Sequence, residues 1–227
     1  MPQDEMIPQG SLIVSCQADA GTPLAGPDAI AGLALAALAG GAAGIRADGP
    51  ANVAMIRSRS DCLLVGSFKI RAEGTAVYVT PSFDAAVQVI DAGANIVGIE
   101  ATERPLADGS STHDTIRRIK QQRGAAVMAD VSVLPEALKA QEAGADYVTC
   151  AMAGFTPYSR QAEGPDWELI DRMVNTLDVP VIAEGRLWNG AEAARALDLG
   201  AHAVVVGTAI SDPLKITRRF VEAMKSN

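Results

Sequence analysis

The stretch DAGANIVGIE, residues 91–100, decides the fold. Its first half is small and polar and closes on Gly93, while its second half is a run of strand-forming residues. A glycine just past a helix adopts the left-handed conformation that ends it, and here a strand starts almost at once. The same phrase returns as LAGGAAGIR (38–46), EAGADYVTC (142–150) and DLGAHAVVVG (198–207). Helix, short turn and strand in repetition imply a parallel sheet with helical crossovers.

Working outward from these four phrases, eight apolar strands can be counted: SLIVSC, AAGIRA, CLLVGS, NIVGIE, AAVMAD, DYVTC, VPVIAE and AVVVG. Amphipathic or Ala-rich stretches follow them at 27–39, 50–59, 82–91, 112–122, 133–143, 165–177, 189–199 and 213–225. Eight such units in 227 residues predict a (β/α)8 TIM barrel. An open doubly wound sheet is the main alternative, but no Gly-x-Gly-x-x-Gly run follows the first strand. No linker or shift in composition divides the chain. The expectation is a single domain over residues 1–227, with residues 1–10 a polar N-terminal extension.

Composition narrows the function. Aromatic residues are 4% and hydrophobic residues 48% of the chain, so the core must be built from Ala, Val, Ile and Leu. A net charge of −8 gives no electrostatic reason to bind nucleic acid or an acidic membrane. Cys16, Cys62 and Cys150 are odd in number and far apart, and the start MPQDEM does not read as a secretory signal, so reduced thiols and a cytoplasmic location are expected. The uncharged stretch 29–45 approaches the roughly 18 residues of a membrane span, but Gly40-Gly41 breaks it into a buried helix and a strand.

In such barrels the C-terminal strand ends form the active site. Read in order, they offer Cys16-Gln17, Arg46, Lys69, Glu100, Asp130, Cys150, Glu184 and Gly207-Thr208. Lys69, at the end of CLLVGSFK, is either a solvated boundary residue or a base delivered to a site. It becomes a general base only if burial or a neighbouring cation such as Arg46 lowers its proton affinity. Glu184 can serve as the opposing acid or base, and Asp130 can orient Lys69 or bond a substrate hydroxyl. The bland reading of both acids is an ion pair closing the mouth. Gly185 and Gly207, in the last two loops, allow the close backbone approach that binds phosphate in many barrels.

Other chemistries are poorly served. His113 and His202 have no ligand-spaced partners, so no metal site is expected. No histidine is placed to activate Cys16 or Cys150, which read as small fillers near the mouth. Trp167 and Trp188 read as outer-layer packing, and Phe155 and Tyr158 as residues of a long loop that covers the site or anchors itself.

These residues carry a resemblance. LIVSCQA (12–18), GGAAGIRA (40–47), the strand-ending Lys69, MAD (128–130), GFT (154–156), PVIAEG (180–185), the run from His202 to Ile210 and ITRRFVEAM (216–224) occur in this order. Together they resemble the N-acylglucosamine-6-phosphate 2-epimerase (N-acetylmannosamine-6-phosphate 2-epimerase) family of sialic acid catabolism. The resemblance implies cofactor-free inversion at C2 of an N-acylated amino sugar phosphate. It assigns catalysis to Lys69, Glu184 and Asp130, and substrate binding to Gln17, Arg46 and Glu100. Phosphate would be held by Gly185, Arg186, Gly207 and Thr208, and a homodimer is implied.

Two departures stand out. Ser211-Asp212-Pro213 replaces the family's common Thr-Arg-Pro, putting an anion where a cation usually faces phosphate, and Arg186 would restore the charge from the neighbouring loop. Glu100 stands where aspartate is usual. The competing readings are an epimerase of an unphosphorylated N-acylamino sugar, another phosphate-binding barrel enzyme such as an isomerase or lyase of amino-acid or thiamine biosynthesis, and a non-catalytic sugar-phosphate-binding barrel.

Overall fold

The computed structural model describes residues 6–71, 76–106 and 110–225. Eight strands alternate with helices: β1 (Ser11–Cys16), α1 (Pro27–Ala39), β2 (Gly44–Asp48), α2 (Pro50–Arg57), β3 (Leu63–Ser67), α3 (Phe83–Asp91), β4 (Ile96–Glu100), α4 (Thr112–Arg123), β5 (Ala126–Asp130), α5 (Leu134–Glu142), β6 (Tyr147–Thr149), α6 (Trp167–Val174), β7 (Val181–Glu184), α7 (Gly190–Asp198), β8 (Ala203–Val206), α8 (Thr208–Ser211) and α9 (Pro213–Lys225). The strands pair in sequence order, all parallel, and β8 pairs with β1 to close a (β/α)8 barrel. The chain is one domain built on this barrel.

The local reasons are visible in the sequence. Gly93, Gly144 and Gly200, at the heart of three of the recurring phrases, have φ of 105°, 96° and 95°, a region that costs other residues steric strain. Side chains of Ser82, Ser111, Asp166 and Asn189 accept the first free N–H groups of α3, α4, α6 and α7. Alternation along each strand sends one set of side chains inward and the other to the helices. The inward set, including Ile13, Val65, Ile96, Met128, Tyr147, Ile182 and Val205, fills the lower barrel. Ala-rich helices pack on the outward set.

The structure adds three features to the sequence reading. A short helix, α8, follows β8. Beyond β3 the chain forms a small hairpin in which Lys69 bridges Val79, tied by Ile70 N–H to Tyr78 O (2.9 Å) and Thr80 N–H to Phe68 O (2.8 Å). Finally, Ile7 departs from the polar extension expected over residues 1–10, of which residues 1–5 lie outside the described residues. Ile7 is fully buried, its N–H donates to Tyr147 Oη and its carbonyl meets His202 Nε2 (2.7 Å), so it plugs the N-terminal end of the barrel. Among the described residues, no helix is long and apolar enough to cross a membrane.

Candidate active site

At the C-terminal mouth, two lobes of about 310 and 610 Å³ meet. Ser15, Lys69, Tyr78, Phe155, Gly207 and Thr208 line both. The smaller lobe adds Arg46, Asp130, Glu184, Gly185, Arg186 and Trp188, and the larger adds Gln17, Asp48, Arg71, Asp212 and Lys215.

Register explains this convergence. Ser15 pairs with Arg46, Arg46 with Val65, Glu100 with Asp130, and Glu184 with Val205, so these positions share the inward face. Arg46 is the middle residue of β2, not its end, and its long side chain crosses the barrel. Its Nη1 donates to Asp130 Oδ1 (3.0 Å) and Glu184 Oε2 (2.5 Å), and its Nη2 to Asp130 Oδ2 (2.5 Å). Gly98 makes room for it, since a Cβ there would lie 3.1 Å from Arg46 Nη2. Arg46 and Asp130 are 3% and 1% exposed, so this ion pair is a dry one. Burial works against the Arg46 charge, but Asp130 and Glu184 outweigh it and hold the guanidinium more firmly protonated than usual. Arg46 Nε is buried without a partner among the described residues.

Lys69 lies two residues beyond β3, on the small hairpin. Its N–H donates to Asp48 Oδ1 (2.7 Å), and its Nζ donates to Gln17 Oε1, while Gln17 Nε2 donates to Ser15 Oγ (2.7 Å). Its proton affinity is lowered. Burial is the larger cause, Asp48 opposes it, and Arg46 adds to it, so the cation singled out from the sequence plays the smaller part. Glu184 moves the other way. Burial raises its proton affinity, against Arg46 and with Asp130. Both recorded side-chain hydrogen bonds of Glu184, from Arg46 and Thr149, use Oε2.

Several expectations change. Asp130 makes no hydrogen bond to Lys69 among the described residues: each of its oxygens accepts from Arg46, while the residue still lines the smaller lobe. Glu100 lies outside the two lobes: it is fully buried and taken up by Tyr78 N–H (3.2 Å), Thr102 Oγ1 (2.7 Å) and Arg104. Cys16 and Cys150 belong to the outer layer rather than the mouth, since parity turns them toward the helices, and burial pushes their thiols up to about 12 and about 11. Trp188 is not simple outer packing. It lines the smaller lobe, with Arg219 4.2 Å from its ring centre. Tyr158 anchors its loop through Glu136 (2.6 Å), whereas Phe155 lies over both lobes.

Gly185 (φ 111°), Arg186, Gly207 and Thr208 lie together on the smaller lobe. Arg186 Nε donates to Gly164 O (2.8 Å), and its guanidinium lies where a side chain at Gly154 would clash. Asp212 is in the larger lobe and pairs with Lys215 (2.9 Å), which also reaches Asp19 (3.1 Å). The sequence reading missed Ser15, Asp48, Tyr78 and Lys215. Ser15 and Asp48 share inward parity with Arg46 and could have been found by counting in twos. Tyr78 has no such signal because it arrives through the hairpin. No group of three or more His, Cys, Asp or Glu side chains suited to a metal occurs among the described residues.

Residues 30–226 match the family model described as "Putative N-acetylmannosamine-6-phosphate epimerase" (NanE). A protein of Caldanaerobacter subterraneus subsp. tengcongensis, named "Putative N-acetylmannosamine-6-phosphate 2-epimerase", is 45% identical over 218 residues, covering 96% of this chain and 92% of its own. The solved structure of the N-acetylmannosamine-6-phosphate 2-epimerase from Clostridium perfringens superposes with a TM-score of 0.91 at 36% identity, covering 95% of this chain and 93% of that one. A thiamine phosphate pyrophosphorylase from Pyrococcus furiosus, at 18% identity and a TM-score of 0.59, shares the fold alone.

Proposed function

Because the chain belongs to the N-acetylmannosamine-6-phosphate epimerase family, we propose that it interconverts N-acetylmannosamine 6-phosphate and N-acetylglucosamine 6-phosphate by inverting C2. The observation that carries this reading is one cavity holding a lysine of lowered and a glutamate of raised proton affinity. Groups pushed apart from their ordinary values in this way are suited to act as base and acid near neutrality.

The C2–H bond is acidic only beside the C1 aldehyde of the open-chain sugar. Lys69 takes that proton, the C–H electron pair forms a C1–C2 double bond, and the carbonyl pair moves onto O1. Arg46 and Gln17 steady the charge gathering there. Glu184, in its acid form, returns a proton to the opposite face of C2 as the carbonyl re-forms. Lys69 then releases its proton and Glu184 regains one through solvent, so atoms and charges balance with no cofactor. Asp130 holds Arg46 in place and is a supporting residue in this scheme.

The phosphate is assigned to the lobe of Gly185, Arg186, Gly207 and Thr208. Arg186 has φ 58°, a left-handed conformation that costs a non-glycine residue roughly 1–3 kcal/mol and clusters at active sites and ligand clamps. Asp212 is answered by Lys215 rather than left facing an anion. Initial rates with the phosphorylated and the free sugar test the assignment. Arg186→Ala is expected to raise KM for the phosphorylated sugar by roughly tenfold or more, the worth of a charge-assisted hydrogen bond. An unchanged KM, or faster turnover of the free sugar, would sink it.

The same reading places the enzyme in sialic acid catabolism and, with three free cysteines, in the reducing cytoplasm. It also extends to a homodimer, which α9 supports. Ile216, Phe220 and Met224 repeat at helical spacing, yet no residue of α9 is buried, and Phe220 and Met224 are 67% and 76% exposed. A second copy of the chain is the occupant that would cover this face.

A further inference from the structure

We propose that Asp48 is a positioning residue for Lys69, one that fixes the lysine's backbone and sets the pH at which its amine gives up its proton; this rests on the reading of Lys69 as the base. Asp48 ends β2 on the inward face, two residues after Arg46 and in register with Ser67 of β3. Its own backbone is pinned: Asn52 Nδ2 donates to its carbonyl (2.6 Å), and the next residue, Gly49, donates its N–H to Ser67 O (2.7 Å). From that fixed point Asp48 Oδ1 accepts the Lys69 N–H at 2.7 Å. The carboxylate therefore sits at the foot of the lysine on the wall of the larger lobe.

The surrounding charges make Asp48 the group that matters. Arg46 from β2, Asp130 from β5 and Glu184 from β7 also act on the lysine, but these three are bound to one another. Asp19, Asp212 and Lys215 form a separate chain of ion pairs at the far side of the lobe. Arg71 stacks on Tyr78, 4.1 Å from its ring centre. Asp48 forms no ion pair among the described residues, so its charge is not spent elsewhere. Burial lowers the proton affinity of Lys69, and Asp48 is the strongest of the charges that oppose it. Without Asp48 the amine would lose its proton at lower pH.

The test is competitive acetylation of Lys69 with acetic anhydride across pH, read by peptide mass spectrometry, in the wild type, Asp48→Asn and Asp48→Glu. The asparagine keeps an acceptor for the Lys69 N–H and removes the charge. Its labelling profile is expected to move to lower pH by about one unit, and the kinetic limb governed by Lys69 to move with it. Asp48→Glu keeps the charge and displaces the anchor, so its profile is expected to stay near the wild type while kcat falls with little change in KM. A labelling profile that stays put, or moves to higher pH, in Asp48→Asn overturns the proposal, as does one that moves equally in Asp48→Glu. If the profile shifts as expected but neither sugar is epimerised, the role of Asp48 stands and the proposed function falls.

Discussion

At the scale of single residues, the mouth is governed by one physical effect acting on two opposite charges. Removing water disfavours the ionised form of any group, so it lowers the proton affinity of Lys69 and raises that of Glu184. The proton affinities of the proposed base and acid are thus brought toward each other. The pH profile of kcat is expected to be a bell whose limbs lie inside the interval between an ordinary glutamate and an ordinary lysine. Glu184→Gln should abolish one limb and lower kcat by roughly 10²–10⁴-fold. A Glu184→Gln profile that keeps both limbs would remove Glu184 from the chemistry. Lys69 and Glu184 were legible as residues of the mouth, Glu184 because it ends an apolar strand and Lys69 because it follows one by two residues. Arg46 was legible as a site residue but not as the partner of Asp130, since nothing local shows a side chain crossing a barrel. Asp48 carried the same signal two residues on, its inward parity with Arg46, and was passed over.

At the scale of elements, the repeated helix–glycine–strand phrase was readable because its reasons are local: a cap, a left-handed glycine and an apolar run. Four strands form where this phrase places them, and the other four where the apolar runs between its occurrences do. The hairpin beyond β3 was not readable, because its hydrogen bonds join residues about ten apart with no repeated pattern between them. Thr80 holds it. This residue is fully buried with φ 51°, donates its hydroxyl to Gly98 O (2.6 Å) and accepts from Phe68 N–H (3.0 Å). It joins the strand that accommodates Arg46 to the segment that carries Lys69. Thr80→Val keeps the shape and strands two backbone groups. Urea unfolding should show a loss of about 1–3 kcal/mol, and steady-state kinetics a fall in kcat larger than the rise in KM. Wild-type stability in this variant would mean that the hairpin does not depend on the hydroxyl.

At the scale of the whole molecule, the closed barrel turns eight local choices into one site. Inward alternation fills the lower half with apolar side chains and delivers Arg46, Asp130 and Glu184 to the mouth, while loops bring Lys69, Tyr78, Phe155 and Arg186 over it. The amphipathic character of α9 was legible from 213–225, but its bare face was not, since a sequence records periodicity and not which surface is covered. Phe220→Asp is expected to shift the protein from dimer to monomer in sedimentation equilibrium, and a wild type that is already monomeric would remove the homodimer. In the proposed function, this mouth breaks and remakes a C2–H bond. Proton NMR of N-acetylmannosamine 6-phosphate in D₂O measures it directly. Deuterium is expected at C2, with the gluco epimer appearing alongside it, and neither in Lys69→Met. Retention of the C2 proton in the product, or exchange that persists in Lys69→Met, would contradict it.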